Sequence, residues 1–254
     1  MKQLTLFAMT KDQARSQILR FLNLEAWSSD RNLSELLGVS SRQFKVFIKP
    51  LIKEKFVKHL HLPIVGGYLD LYGLTKLGLK TISSDEQSSC QVESRPKLLG
   101  SKLSATLVPH RLDIQLLRIR AEKKGWTQWV NSDFGREFDK NKNSCASPIT
   151  ADNVRDSRPD ALSTDENKLR VCIEYERSIK SKNRYEQKLC DYLIALRRGD
   201  FDRVVWVSPN ERVRETLKRV ITSITHVQIG SMSVVIPRSR FQSMSFLTIE
   251  EWAL

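Results

Sequence analysis

What this chain lacks narrows it first. No apolar run approaches the ~20 residues of a membrane-spanning helix, so no membrane insertion is expected. The N-terminal stretch MKQLTLFAMTKDQ lacks a signal-peptide h-region and cleavage site, and the expected location is the cytoplasm. The four cysteines, Cys90, Cys145, Cys172 and Cys190, are scattered and form no CxxC pair. That spacing suggests neither a zinc site nor a disulfide framework. Cys172 and Cys190 sit in apolar patterns and read as small core residues. No internal repeat and no long low-complexity tract is present. Acidic residues are few beside basic ones: 29 Asp and Glu face 42 Lys and Arg, a formal net charge of +13. That excess predicts a polyanionic partner, nucleic acid or an acidic membrane surface. The 254 residues, 40% of them hydrophobic, suffice for one large or two modest domains.

From the N-terminus, residues 11–27 place Ile18, Leu19, Leu22 and Trp27 near one helical face. After a short gap, SSDR, a second short helix is expected over 32–39, ended by Gly38. A third follows over 40–60, with Ser40 or Ser41 as N-cap and an apolar face of Phe44, Phe47, Ile48, Leu51 and Ile52. Pro50 is expected to kink this helix or end it early. Two short strands around Pro63–Gly67 come next, then TKLGLKTI. Residues 83–104 are Ser-rich and lack a period, which marks a linker between domains 1–82 and 105–254.

The second domain opens with an apolar helix over 105–125, with His110 in its first turn. TQWVN reads as a strand and 132–157 as a long polar loop or insertion. Strands are then expected over 159–163 and 169–175, joined by the polar turn TDENK. An amphipathic helix follows over 181–199, with Tyr185, Leu189, Tyr192, Leu193 and Leu196 facing inward. FDRVVWVSP is a strand apolar on both faces, residues 210–224 a helix, and HVQIG and SVVIP are further candidate strands. The order describes a mixed sheet with helices on its faces.

The stretch from Arg158 to Tyr192 organises this domain. Folding its hairpin about the middle sets Asp160 opposite Glu174, and opposed side chains lie only about 5 Å apart. Glu176, two residues on, leaves the strand on the same face. Three converging carboxylates repel unless a positive group sits among them, and the economical candidate is a divalent metal with oxygen ligands. Glu174 ends an apolar strand, where a carboxylate is costly without partners. Arg177 and Lys180 are placed to neutralise flanking phosphates. His59-Leu60-His61 puts two imidazoles on one strand face, a pair read as facing DNA, with a metal site as the alternative. Tyr185 and Tyr192, seven apart on one helix face, read as core.

Two resemblances attach to these residues. LIKEKFVKHL followed by GYLDLYGLTKLGLK, with its Leu-Thr-x-x-Gly segment, resembles the ending of a winged helix-turn-helix over residues ~10–82. It implies that the helix beginning near Ser41 enters a DNA major groove, with Arg42, Gln43, Lys45 and Lys49 as DNA-binding residues. Pro159-Asp160 and Glu174-Tyr175-Glu176 resemble the PD-(D/E)xK pattern of restriction-endonuclease-like folds. The class expected is α/β, α+β overall. Glu176 stands where that pattern has a Lys, which leaves Lys180, Lys182 or Lys188 to supply the positive charge.

Taken in order, PHRLDIQLLRIRAE, RPDAL, CIEYERSIKSKNRYEQKLCDYL and FDRVVWVSPNERVRETLKRV are similar to the replication-relaxation family, in particular its MobC-type mobilisation relaxases. The resemblance implies strand-specific nicking of double-stranded DNA at a transfer origin, which starts conjugative mobilisation, with other relaxosome or coupling proteins as partners. It implies Mg²⁺ or Mn²⁺, metal ligands at Asp160, Glu174 and Glu176, and catalytic roles for these three with His110, Lys180 and Lys188. The alternative is a non-catalytic DNA-binding regulator or replication accessory protein with a silent nuclease-like domain.

Overall fold

The computed structural model describes residues 9–64, 66–85, 103–131 and 158–252, the side chains of 83–85 excepted. The polar insertion expected at 132–157, most of the linker expected at 83–104, and Cys90 and Cys145 lie outside the described residues. The chain is mixed α+β and forms two compact units, Met1–Ile119 and Arg120–Leu254.

The first unit runs α1 (Lys11–Glu25), β1 (Trp27–Ser29), α2 (Asp30–Leu37), α3 (Ser41–Lys53), β2 (Val57–Ile64), β3 (Gly67–Leu74), α4 (Lys76–Asp85) and most of α5 (Val108–Lys123). Helix starts follow local chemistry. Thr10 and Ser40 form capping boxes with Gln13 and Gln43, and the Ser29 hydroxyl accepts from the Asn32 N–H. Gly38 ends α2 at φ 64°, a conformation that costs residues with a Cβ. Helix α3 runs through Pro50 to Lys53. The strand expected to turn at Pro63 instead continues to Ile64, pairing Pro63 with Tyr68. Strand β1 was not expected. It pairs antiparallel with β3, giving the sheet order β1-β3-β2.

Ala14, Ile18, Leu22, Leu33, Phe44, Ile48, Tyr72 and Ile119 form the core of this unit. Buried polar groups fix α5 onto it. Gln115 Nε2 donates to the Trp27 carbonyl at 2.8 Å, while Gln115 Oε1 accepts from the Ser28 hydroxyl at 2.8 Å. Asn32 Nδ2 donates to the Leu112 carbonyl at 2.8 Å. Arg118 pairs with the fully buried Glu25 at 2.7 Å. The dividing point between units therefore falls within α5, beyond the Ser-rich stretch.

The second unit continues with β4 (Thr127–Asn131), β5 (Ala161–Thr164), β6 (Arg170–Tyr175), α6 (Lys182–Arg198), β7 (Arg203–Ser208), α7 (Glu211–Thr222), β8 (His226–Ile229), β9 (Met232–Val235), a 3₁₀ turn (Arg238–Ser243) and β10 (Met244–Thr248). The five-stranded sheet has the order β10-β7-β6-β5-β4. Strands β4, β5 and β6 are antiparallel neighbours, whereas β7 runs parallel to β6 and β10 parallel to β7. Val204–Val207 are buried throughout, as their apolar run predicts for a central strand. Strand β10 was not expected. Tyr185, Leu189 and Tyr192 of α6 and Leu217 and Ile221 of α7 pack with Cys172, Val204 and Trp206 of the sheet. The TDENK turn is tied by Asp165, whose carboxylate accepts from the Asn167 and Leu169 N–H groups at 2.9 Å and pairs with Arg203 at 2.8 Å.

The Leu-Thr-x-x-Gly segment has a packing reason. The Thr75 hydroxyl accepts from the Gly78 N–H at 3.1 Å, and a Cβ on Gly78 would stand 2.2 Å from the Phe56 carbonyl oxygen. Backbone is an unyielding neighbour. Gly78→Ala is expected to destabilise the first unit by about 1–3 kcal/mol, read as a lower unfolding midpoint in a denaturant melt. An unchanged midpoint would remove the close approach as the reason for glycine.

Candidate active site

The β5–β6 register pairs Ala161 with Ile173 and Leu162 with Cys172. One step further, Asp160 faces Glu174, as the hairpin pattern predicts. Asp160 Oδ2 accepts from the Tyr175 N–H at 2.8 Å, which holds the carboxylate against the end of β6. Strand alternation points Cys172 and Glu174 to the face covered by α6. Glu174 is 1% exposed.

Helix α6 answers that buried carboxylate with two groups. Lys188 Nζ donates to Glu174 Oε2 and the Tyr192 hydroxyl donates to Glu174 Oε1. Lys188 and Tyr192 are four apart and share a helix face with Tyr185 and Leu189. The Lys188 ammonium also lies 6.0 Å from the Trp206 ring centroid and 5.9 Å from that of Tyr192, near the outer range of a cation–π contact. Burial pushes the Glu174 carboxyl well above the usual carboxylate range; Lys188 opposes that rise and the Asp160 charge adds to it. Burial alone would lower the Lys188 ammonium, but Glu174 and Asp160 outweigh it and raise it above its ordinary value.

Glu176, also 1% exposed, is met by a different lysine. Lys180 Nζ lies 2.8 Å from both of its oxygens, hydrogen-bonded to Oε1 and off-angle to Oε2. The Tyr185 hydroxyl accepts from the Lys180 N–H at 3.1 Å and fixes the connection into α6. Lys182 is exposed and lies 3.7 Å from Glu186 one turn along the helix. Two buried polar atoms on β7, Trp206 Nε1 and Ser208 Oγ, have no hydrogen-bond partner among the described residues. By alternation they share the face of β7 that α6 covers.

The residues singled out from sequence are thus distributed as follows. Asp160, Glu174 and Lys188 form one electrostatic cluster, with Glu176 and Lys180 as an adjoining pair. The expected three-carboxylate ligand set does not form. Among the described residues, the one group of three potential ligands gathered within 4.8 Å is His59, His61 and Asp70. The positive group at Glu174 is an ammonium. His110 lies half-buried in the first turn of α5 and belongs to the first unit, whereas the carboxylates belong to the second. Arg177 is exposed just beyond Glu176, and Arg42, Gln43 and Lys49 are exposed on α3. Lys45 is instead half-buried and engaged within the unit. Its ammonium pairs with Asp30 and donates to the Tyr72 hydroxyl at 3.0 Å.

Tyr192 is the residue that pattern reading missed. Its place in the apolar stripe of α6 suits a core residue, and its ring is one. Only the partner across the sheet turns its hydroxyl into a carboxylate donor. Lys188 left a signal, because it falls three after Tyr185 and four before Tyr192 in that same stripe.

Removing one partner of a buried ion pair strands the other charge, at a cost of about 3–5 kcal/mol. Lys188→Met takes away the group that opposes the rise of the Glu174 carboxyl. A carboxyl whose folded pKa exceeds its unfolded value contributes stability below the unfolded value and loses it as pH rises through the folded one. The variant's deficit relative to wild type is therefore expected to widen as pH rises through the range where Glu174 ionises in the folded protein, read in urea melts across pH. A deficit independent of pH would contradict the pairing.

The chain matches no family model, no curated protein and no solved structure.

Proposed function

We propose that this chain is a metal-dependent DNA strand-nicking endonuclease of the mobilisation-relaxase kind, acting on double-stranded DNA at a transfer origin. The observation that carries the reading is the buried Glu174 facing the half-buried Asp160, with Lys188 reaching Glu174 from the following helix. Three antiparallel strands, a helix and a parallel strand, with acidic residues at the ends of the second and third strands, is the arrangement expected of a PD-(D/E)xK domain. Glu176 stands where that pattern has its lysine, and Lys188 brings an ammonium to Glu174 from α6. The first unit supports the DNA part. Its order α1-β1-α2-α3-β2-β3 with sheet order β1-β3-β2 agrees with the order expected of a winged helix, and α3 presents Arg42, Gln43 and Lys49 to solvent.

The donor chemistry fits a hard cation. Asp160 and Glu174 offer carboxylate oxygens only, and the unpartnered Ser208 Oγ is a further oxygen on the α6 face of the sheet. Asp160 and Glu174 would hold Mg²⁺ or Mn²⁺, which when bound supplies Lewis acidity at a phosphoryl oxygen and a more acidic water. The remaining work falls to the chain. Asp160 is oriented by the Tyr175 N–H, and Glu174 by Tyr192 and Lys188. The Lys188 ammonium, with three donors, stabilises negative charge developing on a phosphate beside Glu174. Lys180 holds Glu176 neutralised next to it, and Arg177 presents charge to a flanking phosphate.

A second reading, a DNA-binding regulator or replication accessory protein with a silent nuclease-like domain, is favoured by one observation. Both Glu174 oxygens are already engaged, by Lys188 and by Tyr192.

Relaxation of a supercoiled plasmid bearing the element's transfer origin, with Mg²⁺ or Mn²⁺, separates the two. Wild type is expected to nick, and Asp160→Asn, Glu174→Gln and Lys188→Met each to lose about 10²-fold or more in rate. Origin binding without nicking by wild type would establish the second reading, and undiminished nicking in both carboxylate variants would reject the site. In DNA-binding titrations across salt, Arg42→Ala and Lys49→Ala are each expected to lower the salt slope by about 1. Unchanged slopes would remove α3 from the interface.

A further inference from the structure

The hairpin of β2 and β3 carries its polar residues on one face. Registers pair His59 with Tyr72 and His61 with Asp70. Residues two apart on a strand share a face, so both imidazoles, Asp70 and Tyr72 stand together. The opposite face holds Leu60, Leu62, Leu69 and Leu71, packed against Trp27, Val108 and Leu112. The hairpin that carries the polar face is thus anchored by its apolar one.

Asp70 Oδ1 lies 3.0 Å from His59 Nε2 and 2.6 Å from His61 Nδ1, and the imidazole centroids are 4.3 Å apart. Two ring nitrogens therefore converge on a single carboxylate oxygen. The His59 ring is stacked on Tyr72 at 4.7 Å and 5°, and the Tyr72 hydroxyl is tied to Lys45 at 3.0 Å.

We propose that His59 Nε2, His61 Nδ1 and an Asp70 carboxylate oxygen form a binding site for a borderline divalent transition metal, of which Zn²⁺ is the reference ion. Two imidazoles and one carboxylate are the ligand types that zinc takes at about 2.0–2.2 Å, which sets ligand atoms roughly 3.3 Å apart in a tetrahedron. All three ligand atoms already lie within 4.8 Å of one another. The exposure of His61 leaves the remaining coordination position to water or to an exogenous ligand. The nitrogen-rich donor set distinguishes this site from the all-oxygen pair at Asp160 and Glu174, which suits harder ions. Binding joins β2 to β3 and stabilises the folded first unit by mass action.

The test is equilibrium dialysis of Zn²⁺ with the full chain, previously stripped by chelator, alongside the same measurement on His61→Ala, Asp70→Asn and Asp160→Asn. His61 is exposed, and asparagine matches aspartate in shape, so neither wing change disturbs the core. The expected result is an equivalent of Zn²⁺ whose Kd weakens at least about tenfold in the two wing variants and is unaltered in Asp160→Asn. Saturating Zn²⁺ is also expected to raise the wild-type unfolding midpoint, with that rise lost in His61→Ala. Absence of Zn²⁺ binding, or equal affinity in wild type and both wing variants, overturns the proposal. Neither readout depends on nuclease activity, so failure of the proposed function leaves this test intact.

Discussion

The second unit depends on how one carboxylate is kept inside it. Glu174 ends an apolar strand, is 1% exposed, and lies under α6. Taking an ion of that size out of water costs several kcal/mol even after relaxation. The cost is offset only because α6 delivers an ammonium and a hydroxyl to its two oxygens. The same contact fixes the rotation of α6 against the sheet, since Lys188 and Tyr192 reach Glu174 only when their common face is turned inward. Tyr185, Leu189 and Trp206 then fill the space around them. An apolar replacement of the whole cluster would pack as well or better in stability terms. The proposed chemistry gives a reason for a charged cluster at this depth, where perturbed carboxyl and ammonium groups face each other.

The first unit uses polar burial for a structural end. Gln115, Asn32 and Ser28 satisfy one another and the Trp27 and Leu112 carbonyls, while Glu25 is matched by Arg118. All of these bonds join residues 80 or more apart in sequence, so they specify which surface of α5 docks. A mismatched rotation of α5 would strand donors and acceptors in the core, at about 1–3 kcal/mol each. Lys45 follows the same logic. An amphipathic reading of α3 gives it to the solvent face, yet Asp30 and Tyr72 draw it inward. Burial pushes the Tyr72 hydroxyl up to about 12, which keeps it a neutral hydroxyl beside that ammonium.

Much of the architecture was legible because it rests on local rules. Ser40 and Gly38 mark helix ends by their own hydrogen bonding and backbone freedom. The apolar run of β7 announces a strand covered on both faces. The opposition of Asp160 and Glu174 follows from a short turn and period-two alternation. Strands β1 and β10 were not legible, since three residues between helices and MSFLT after a 3₁₀ turn carry little periodic signal. Each exists through a partner distant in sequence, β3 and β7 respectively. The site was half legible for the same reason. Carboxylates on a hairpin can be aligned by counting, whereas the docking of α6 that selects Lys188 for Glu174 and leaves Lys180 to Glu176 is a tertiary fact. The inward-facing Gln115 was hidden likewise, as its partners Trp27, Ser28 and Asn32 lie in other elements.

The proposed function stands on Asp160 and Glu174 acting as a metal-holding pair with Lys188 as the adjoining cation. The most direct measurement is anomalous diffraction from crystals of the full chain soaked in Mn²⁺. The expected result is a peak within about 2–2.6 Å of oxygens from both Asp160 and Glu174, with the Lys188 ammonium displaced from Glu174 toward solvent or phosphate. A map with no peak there, and Lys188 and Tyr192 still holding both Glu174 oxygens at saturating Mn²⁺, would contradict it.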